Sequence, residues 1–107
     1  MGTRTRIIME FEGEYLCSKY IRMDGHVSNW APKLIKALNK TNPKSILKNR
    51  QLLEFMIDNY AENDHFSYVC KVDISNDAYK IMIYDYEDEV IFEGGLNEFS
   101  NKYDKIH

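Results

Sequence analysis

The chain has 107 residues, a formal net charge of −3, and a composition that is 44% hydrophobic and 29% charged. These values fit one domain over residues 1–107 and exclude a disordered tail, a low-complexity polymer and a collagen-like chain. No apolar run approaches the ~20 residues that cross a bilayer, and residues 1–6 lead into no apolar signal segment. We therefore expect a cytoplasmic protein without a membrane anchor.

A β-hairpin is predicted at the start of the chain. Ile7, Met9 and Phe11 alternate with more polar residues, which indicates a strand that is buried on one side. Gly13 then permits a tight reversal, because glycine adopts positive φ without strain. The second strand is expected over residues 14–23.

Two helical segments are predicted next. Asn29 is the expected N-cap of a helix from Trp30 to about Asn39, with Pro32 in its first turn. A second helical region is expected from Asn42 to about Asn63, with a break near residues 48–50 where the apolar spacing falls out of phase.

The last third of the sequence is rich in predicted strands. Alternating apolar residues indicate strands over 66–74, 79–86 and 90–93, and helical spacing from Leu96 to Ile106 indicates a short C-terminal helix. The expected order is ββ-αα-βββ-α. It predicts an α+β single domain with an antiparallel sheet of about five strands and two to three helices.

Charge is segregated along the chain. Residues 25–53 contain six basic residues and no acidic one, whereas residues 54–107 contain thirteen acidic and four basic residues. Complementary halves of this kind favour self-association, so a homodimer is one expectation.

The acidic half contains a cluster in which tyrosines alternate with carboxylates. Such residues either keep a turn and an edge strand soluble or form a surface that mimics nucleic acid and docks on a basic partner. The partner-binding surface that we predict consists of Tyr84, Asp85, Tyr86, Glu87, Asp88, Glu89 and Glu93.

The basic half contains lysines that recur every three or four residues. On a continuous helix they would share one face, which is either an ordinary solvated face or an alternative site that binds nucleic-acid phosphates. These lysines are Lys33, Lys36, Lys40, Lys44 and Lys48.

A third candidate lies where the first hairpin meets the first helix. Asp24 and Gly25 are typical of a strand-to-helix turn, and Trp30 is typical of a residue that closes a core. The alternative is a pocket for a nucleotide-like ligand with an aromatic floor. Its residues would be Tyr20, Arg22, Asp24, His26 and Trp30.

Catalytic chemistry is not indicated. None of the three histidines, His26, His65 and His107, lies in a nucleophile–base motif, and no glycine-rich loop could hold phosphates. Cys17 and Cys70 are too few for a thiolate zinc site, and both are expected to be reduced, buried thiols. We therefore predict no enzyme activity, no catalytic residue, no metal and no cofactor.

The first 40 residues resemble a family of small proteins that occur in bacteriophages and prophages. The family shares an R-x-x-I strand, a short hairpin, an aromatic residue separated by three residues from Asp-Gly-Tyr/His, and a leucine-rich helix. The matching positions are Arg4 or Arg6, Ile7, Gly13, Tyr20, Asp24, Gly25, His26 and Leu34. Many members carry an aromatic residue directly before Asp-Gly and a proline soon after, where this chain has Met23 and Val27. The resemblance implies a phage-related origin rather than an activity.

The leading hypothesis is a phage or prophage protein that binds and inhibits a host macromolecule. The partner that we name first is a host defence effector of the CRISPR type, and the mechanism is occlusion of a basic surface by the acidic cluster. The nucleotide-like ligand and the nucleic acid remain the two alternatives.

Overall fold

A computed structural model describes residues 4–21, 25–43 and 66–106. Within these ranges the chain forms five strands, two α-helices and one short 3-10 helix. In chain order they are β1 (Thr5–Phe11), β2 (Glu14–Ile21), α1 (Val27–Asn39), β3 (Tyr68–Ser75), β4 (Ala78–Asp85), β5 (Val90–Gly95), α2 (Leu96–Lys102) and the 3-10 helix (Tyr103–Lys105).

The five strands form one mixed sheet in the order β2-β1-β3-β4-β5. Neighbouring strands are antiparallel except β1 and β3, which run parallel with Thr5 opposite Tyr68 and Phe11 opposite Ile74. The prediction of a purely antiparallel sheet is therefore wrong, whereas the α+β class with about five strands is confirmed. The parallel pair arises because the chain leaves the sheet after β2, passes through α1, and returns on the free side of β1.

The hydrophobic core lies between one face of the sheet and the helices. Alternate residues of β1, β3 and β4 point into it, as the period of two in their sequences predicts. The two helices close it from the other side with Trp30, Leu34, Leu38 and Phe99. The sheet residues of the core are Ile7, Met9, Cys70, Val72, Ile74, Tyr79, Ile81 and Ile83. We call the sheet face opposite to α1 the second sheet face.

Helix α1 begins earlier than predicted. It starts at Val27, and His26 occupies the N-cap position that we had assigned to Asn29. The reason is local, because the carbonyl oxygen of His26 already accepts the backbone N–H of Asn29 at 2.9 Å. Pro32 therefore lies beyond the first turn, on the exposed side of the helix.

The second predicted helix starts at Asn42 and falls almost entirely on residues 44–65, which lie outside the described residues. The order ββ-αα-βββ-α therefore stays a prediction. No helix in the described ranges is both long enough and apolar enough to cross a membrane.

Candidate functional site

The turn that joins β4 to β5 is built by a single aspartate. The carboxylate of Asp85 accepts the backbone N–H of Glu87 at 2.8 Å and that of Glu89 at 3.0 Å, both at Oδ1. The backbone of Asp85 closes the same turn, since its N–H donates to Glu89 and its carbonyl oxygen accepts from Asp88. We call residues 85–90 the acidic loop. Its backbone is held by bonds within the loop.

The acidic loop exposes apolar surface together with charge. Tyr86 is 75% exposed and Val90 is 48% exposed, and both count among the large hydrophobic residues that the described chain exposes. Glu87, Asp88 and Glu89 are exposed beside them. An exposed aromatic ring surrounded by charged groups is typical of a protein-binding surface, in which the ring supplies contact area.

The carboxylates also act on the tyrosine itself. The charge of Glu87, and a hydrogen bond to it, raise the pKa of Tyr86, and Asp85 adds to the effect. The phenol donates this hydrogen bond to the Glu87 carboxylate, so its one donor proton has a partner within the loop.

Two of the seven predicted partner-binding residues lie apart from the acidic loop. Tyr84 is half-buried on the second sheet face, where its ring lies 5.5 Å from the ammonium of Lys71. Glu93 forms an ion pair with Lys80 at 2.8 Å. The structure therefore groups Asp85, Tyr86, Glu87, Asp88 and Glu89 in the loop, whereas Tyr84 and Glu93 are engaged on the sheet.

Sequence reasoning missed two features of this site. One is the structural role of Asp85, which we had counted only as a charge. The other is the exposed Val90. The available signal for the first was an aspartate at the end of a strand and at the start of a turn, the usual position of an Asx turn.

The alternative ligand pocket is not assembled as predicted. Trp30 is 1% exposed and donates its indole N–H to the carbonyl oxygen of Gly25 at 3.0 Å, so its ring belongs to the core. Tyr20 lies opposite Arg6 in the β1–β2 pairing, which places it on the second sheet face, and its ring contacts Phe66 edge to face. Tyr20 and Trp30 therefore lie on opposite sides of the sheet.

The remaining residues of that pocket are only partly described. His26 is exposed at the start of α1, beside a groove of about 310 Å³ that Tyr68 and Asp104 also line. Arg22 and Asp24 lie outside the described residues.

The lysine face of the alternative nucleic-acid site is present in part. Lys33 and Lys36 on α1, and Lys40 at its C-cap, are exposed on the side of the helix away from the core. The other two predicted members, Lys44 and Lys48, lie outside the described residues.

Two observations concern the predicted thiols and potential metal ligands. Cys70 is a free thiol that is fully buried, and burial raises its pKa far above the ordinary range, so it is not a reactive thiolate. The described ranges contain no group of three or more potential metal ligands. The side chain of Cys17, also predicted to be buried, lies outside the description.

The chain was compared with known proteins at three levels. No protein-family model matches its sequence, no curated protein matches it, and no solved structure matches its fold.

Proposed function

We propose that this chain is a non-enzymatic interaction protein of phage or prophage origin that binds a basic surface of a host macromolecule. The acidic loop is the contact. The observation that carries the proposal is Tyr86, which is 75% exposed at a turn whose backbone is held by Asp85 and which is flanked by three exposed carboxylates.

The loop combines the two contributions that a tight interface needs. Glu87, Asp88 and Glu89 attract a positively charged partner over distance and orient the encounter. Tyr86 and Val90 then lose water on contact and supply the short-range binding energy. Because the loop is already ordered by its own hydrogen bonds, less conformational entropy is lost on binding.

The partner that we propose is a host defence effector that works on nucleic acid, such as a CRISPR nuclease. Effectors of this type hold nucleic acid in a positively charged channel. An acidic protein loop that enters such a channel blocks it without any chemical step. The resemblance of the first 40 residues to phage proteins supports this choice of partner.

The test is capture from host lysate by tagged protein, followed by mass spectrometry of bound proteins and bound small molecules. We expect a stoichiometric protein partner that is released by high salt. A triple charge reversal (Glu87→Lys, Asp88→Lys, Glu89→Lys) should abolish its capture.

The matched control reverses charge at the β1–β2 hairpin, Glu12→Lys with Glu14→Lys, and should capture the partner like the unchanged chain. Equal capture by the triple variant would contradict the proposal. A bound nucleotide without a protein partner would favour the ligand-binding alternative instead.

A further inference from the structure

Helix α1 presents an exposed face that carries only positive charge. Lys33, Lys36 and Lys40 follow one another at spacings of three and four residues, so they lie on one side of the helix. The helix contains no acidic residue that could neutralise them. Among the described residues none of the three lysines has an ion-pair partner.

The acidic loop carries the opposite charge, and its carboxylates are exposed in the same way as the lysines. Glu87, Asp88 and Glu89 are exposed and have no ion-pair partner in the described part of the chain. By contrast, Lys80 and Glu93 lie within reach of each other on the sheet and pair at 2.8 Å. The lysines of α1 and the carboxylates of the loop are therefore complementary charges that one copy of the chain does not bring together.

The acidic loop lies at one end of the sheet, and the lysines follow α1 toward the other end. Thr5, Tyr68 and Asp85 are in register across β1, β3 and β4, so the acidic loop projects from the end at which β1 begins. Helix α1 starts at this end, where the Thr5 hydroxyl donates to the carbonyl oxygen of Gly25, two residues before α1. It ends at the other, where the Thr41 hydroxyl lies 2.6 Å from that of Tyr79, the partner of Ile74 in β3. An antiparallel arrangement of two copies therefore brings the loop of each copy to the lysines of the other.

We propose that two copies of the chain pair reciprocally, with the acidic loop of each copy on the lysine face of α1 of the other. A two-fold axis makes both contacts at once and closes the assembly as a dimer. In each contact three carboxylates meet three ammonium groups, and the ring of Tyr86 packs on lysine side chains, an arrangement that cation–π attraction also favours.

Pairing of this kind regulates the acidic loop. A loop that lies on α1 of a second copy is not free to enter a basic surface of another protein, so the dimer and the host complex exclude each other. The pairing itself does not depend on the proposed host function, because it uses only this chain.

The first experiment measures the mass of the purified chain in solution by sedimentation equilibrium over a range of ionic strength. Because the contact consists of exposed charges, it should weaken as the Debye length falls from ~30 Å at 0.01 M to ~3 Å at 1 M salt. We expect twice the mass of one chain at low salt and the mass of one chain at high salt. A single-chain mass at low salt up to millimolar protein would overturn the proposal.

The second experiment exchanges the charges. A helix variant (Lys33→Glu, Lys36→Glu, Lys40→Glu) carries two acidic surfaces, and a loop variant (Glu87→Lys, Asp88→Lys, Glu89→Lys) carries two basic ones. Each variant alone should be monomeric at low salt, and an equimolar mixture should recover a mixed dimer. A dimer in either variant alone, or a mixture that stays monomeric while the unchanged chain pairs, would show that the contact is elsewhere.

Two further measurements keep the test decisive. Lysine and glutamate have similar helix propensities, so the helix variant should keep its circular dichroism spectrum and melting temperature. If it does not fold, a neutralising set (Lys33→Gln, Lys36→Gln, Lys40→Gln) takes its place and should also be monomeric. The helix variant retains the acidic loop, so it should still capture the host partner, which separates failure of the dimer from failure of the proposed function.

Discussion

Two of the three hairpins of the sheet, β1–β2 and β4–β5, combine exposed acids with an exposed tyrosine, yet they are built differently. At the β1–β2 turn the backbone N–H of Glu12 donates to the carbonyl oxygen of Ile74, and that of Gly13 donates to the Asp73 carboxylate, each at 3.0 Å. Gly13 has a φ of +86°, which only glycine adopts without strain. This turn is therefore anchored to the neighbouring strand β3.

The acidic loop between β4 and β5 takes its hydrogen bonds from within itself. Asp85 holds the N–H groups of Glu87 and Glu89, and the loop connects an edge strand to the rest of the sheet. Tyr86 is 75% exposed, whereas Tyr15 beside the other turn is 59% exposed and its hydroxyl lies 3.1 Å from that of Ser18.

The difference suggests how to separate a structural acid from one that is available for binding. Acidic residues and a tyrosine at a turn do not define an interface by composition, because both hairpins have them. What distinguishes the acidic loop is that its turn is held by hydrogen bonds within the loop and not by a neighbouring strand, and that its tyrosine is the more exposed of the two. The predictions below compare the two hairpins on that basis.

The largest effect is expected from charge reversal in the acidic loop. The triple variant (Glu87→Lys, Asp88→Lys, Glu89→Lys) should weaken the Kd for the captured partner about 100-fold or more, because like charges then face each other in the interface. Isothermal titration calorimetry gives the Kd. The matched variant at the other turn, Glu12→Lys with Glu14→Lys, should change it less than ~3-fold, within the small effect of a remote surface charge. Similar losses in the two variants would mean that only overall charge matters.

The second largest effect on the Kd is expected at the exposed tyrosine of the acidic loop, in contrast to the tyrosine beside the β1–β2 turn. Tyr86→Ala should weaken binding about 30-fold, as truncation of an aromatic anchor does. Tyr15→Ala should leave the Kd unchanged, and Tyr86→Phe should retain most of the affinity because the ring is kept. Surface plasmon resonance should place the loss in the dissociation rate. Equal losses of affinity in the two alanine variants would contradict the assignment of the contact to the acidic loop.

Replacement of the aspartates that hold the two turns should separate stability from binding. Loss of Asp73 should mainly lower stability, and loss of Asp85 should mainly weaken binding. Asp73→Ala should lower the free energy of unfolding by about 1–2 kcal/mol, since the hydrogen bonds from Gly13 and Ser75 are lost. Asp85→Ala should cost less stability but should weaken binding, because the loop loses its order. Urea denaturation of both variants, with the Kd of each, checks this. A binding loss in Asp73→Ala that matches that of Asp85→Ala would contradict it.

The smallest effect is expected at the ion pair on the second sheet face. Glu93→Gln should change neither the melting temperature nor the Kd measurably, because exposed ion pairs contribute little and Glu93 already has a partner in Lys80. The hydrogen bond and charge of Glu93 raise the pKa of Lys80, so any contribution of the pair to stability is present at neutral pH and is lost as the pH rises through the lysine range. A clear loss of binding by this variant would show that Glu93 contacts the partner, as the sequence predicted.

The sequence predicts the hairpins, strands β3 to β5 and the core face well, because their alternation and turn residues are local signals. It does not predict that β3 runs parallel to β1, since that pairing depends on where the chain re-enters the sheet. It also assigns Trp30 and Tyr20 to one pocket, because their proximity in sequence hides the fact that Tyr20 alternates onto the second sheet face. Tyr84 and Glu93 were grouped with the acidic loop by composition, whereas their strand positions give them other partners.

The most direct test of the acidic loop maps its contacts by NMR. Uniformly ¹⁵N-labelled chain is titrated with the captured partner, and the backbone amide shifts are followed. The account predicts that the largest shifts lie in residues 85–90 and that residues 11–15 are unchanged. Unchanged amides in residues 85–90, with the largest shifts at the other hairpin or along α1, would contradict it.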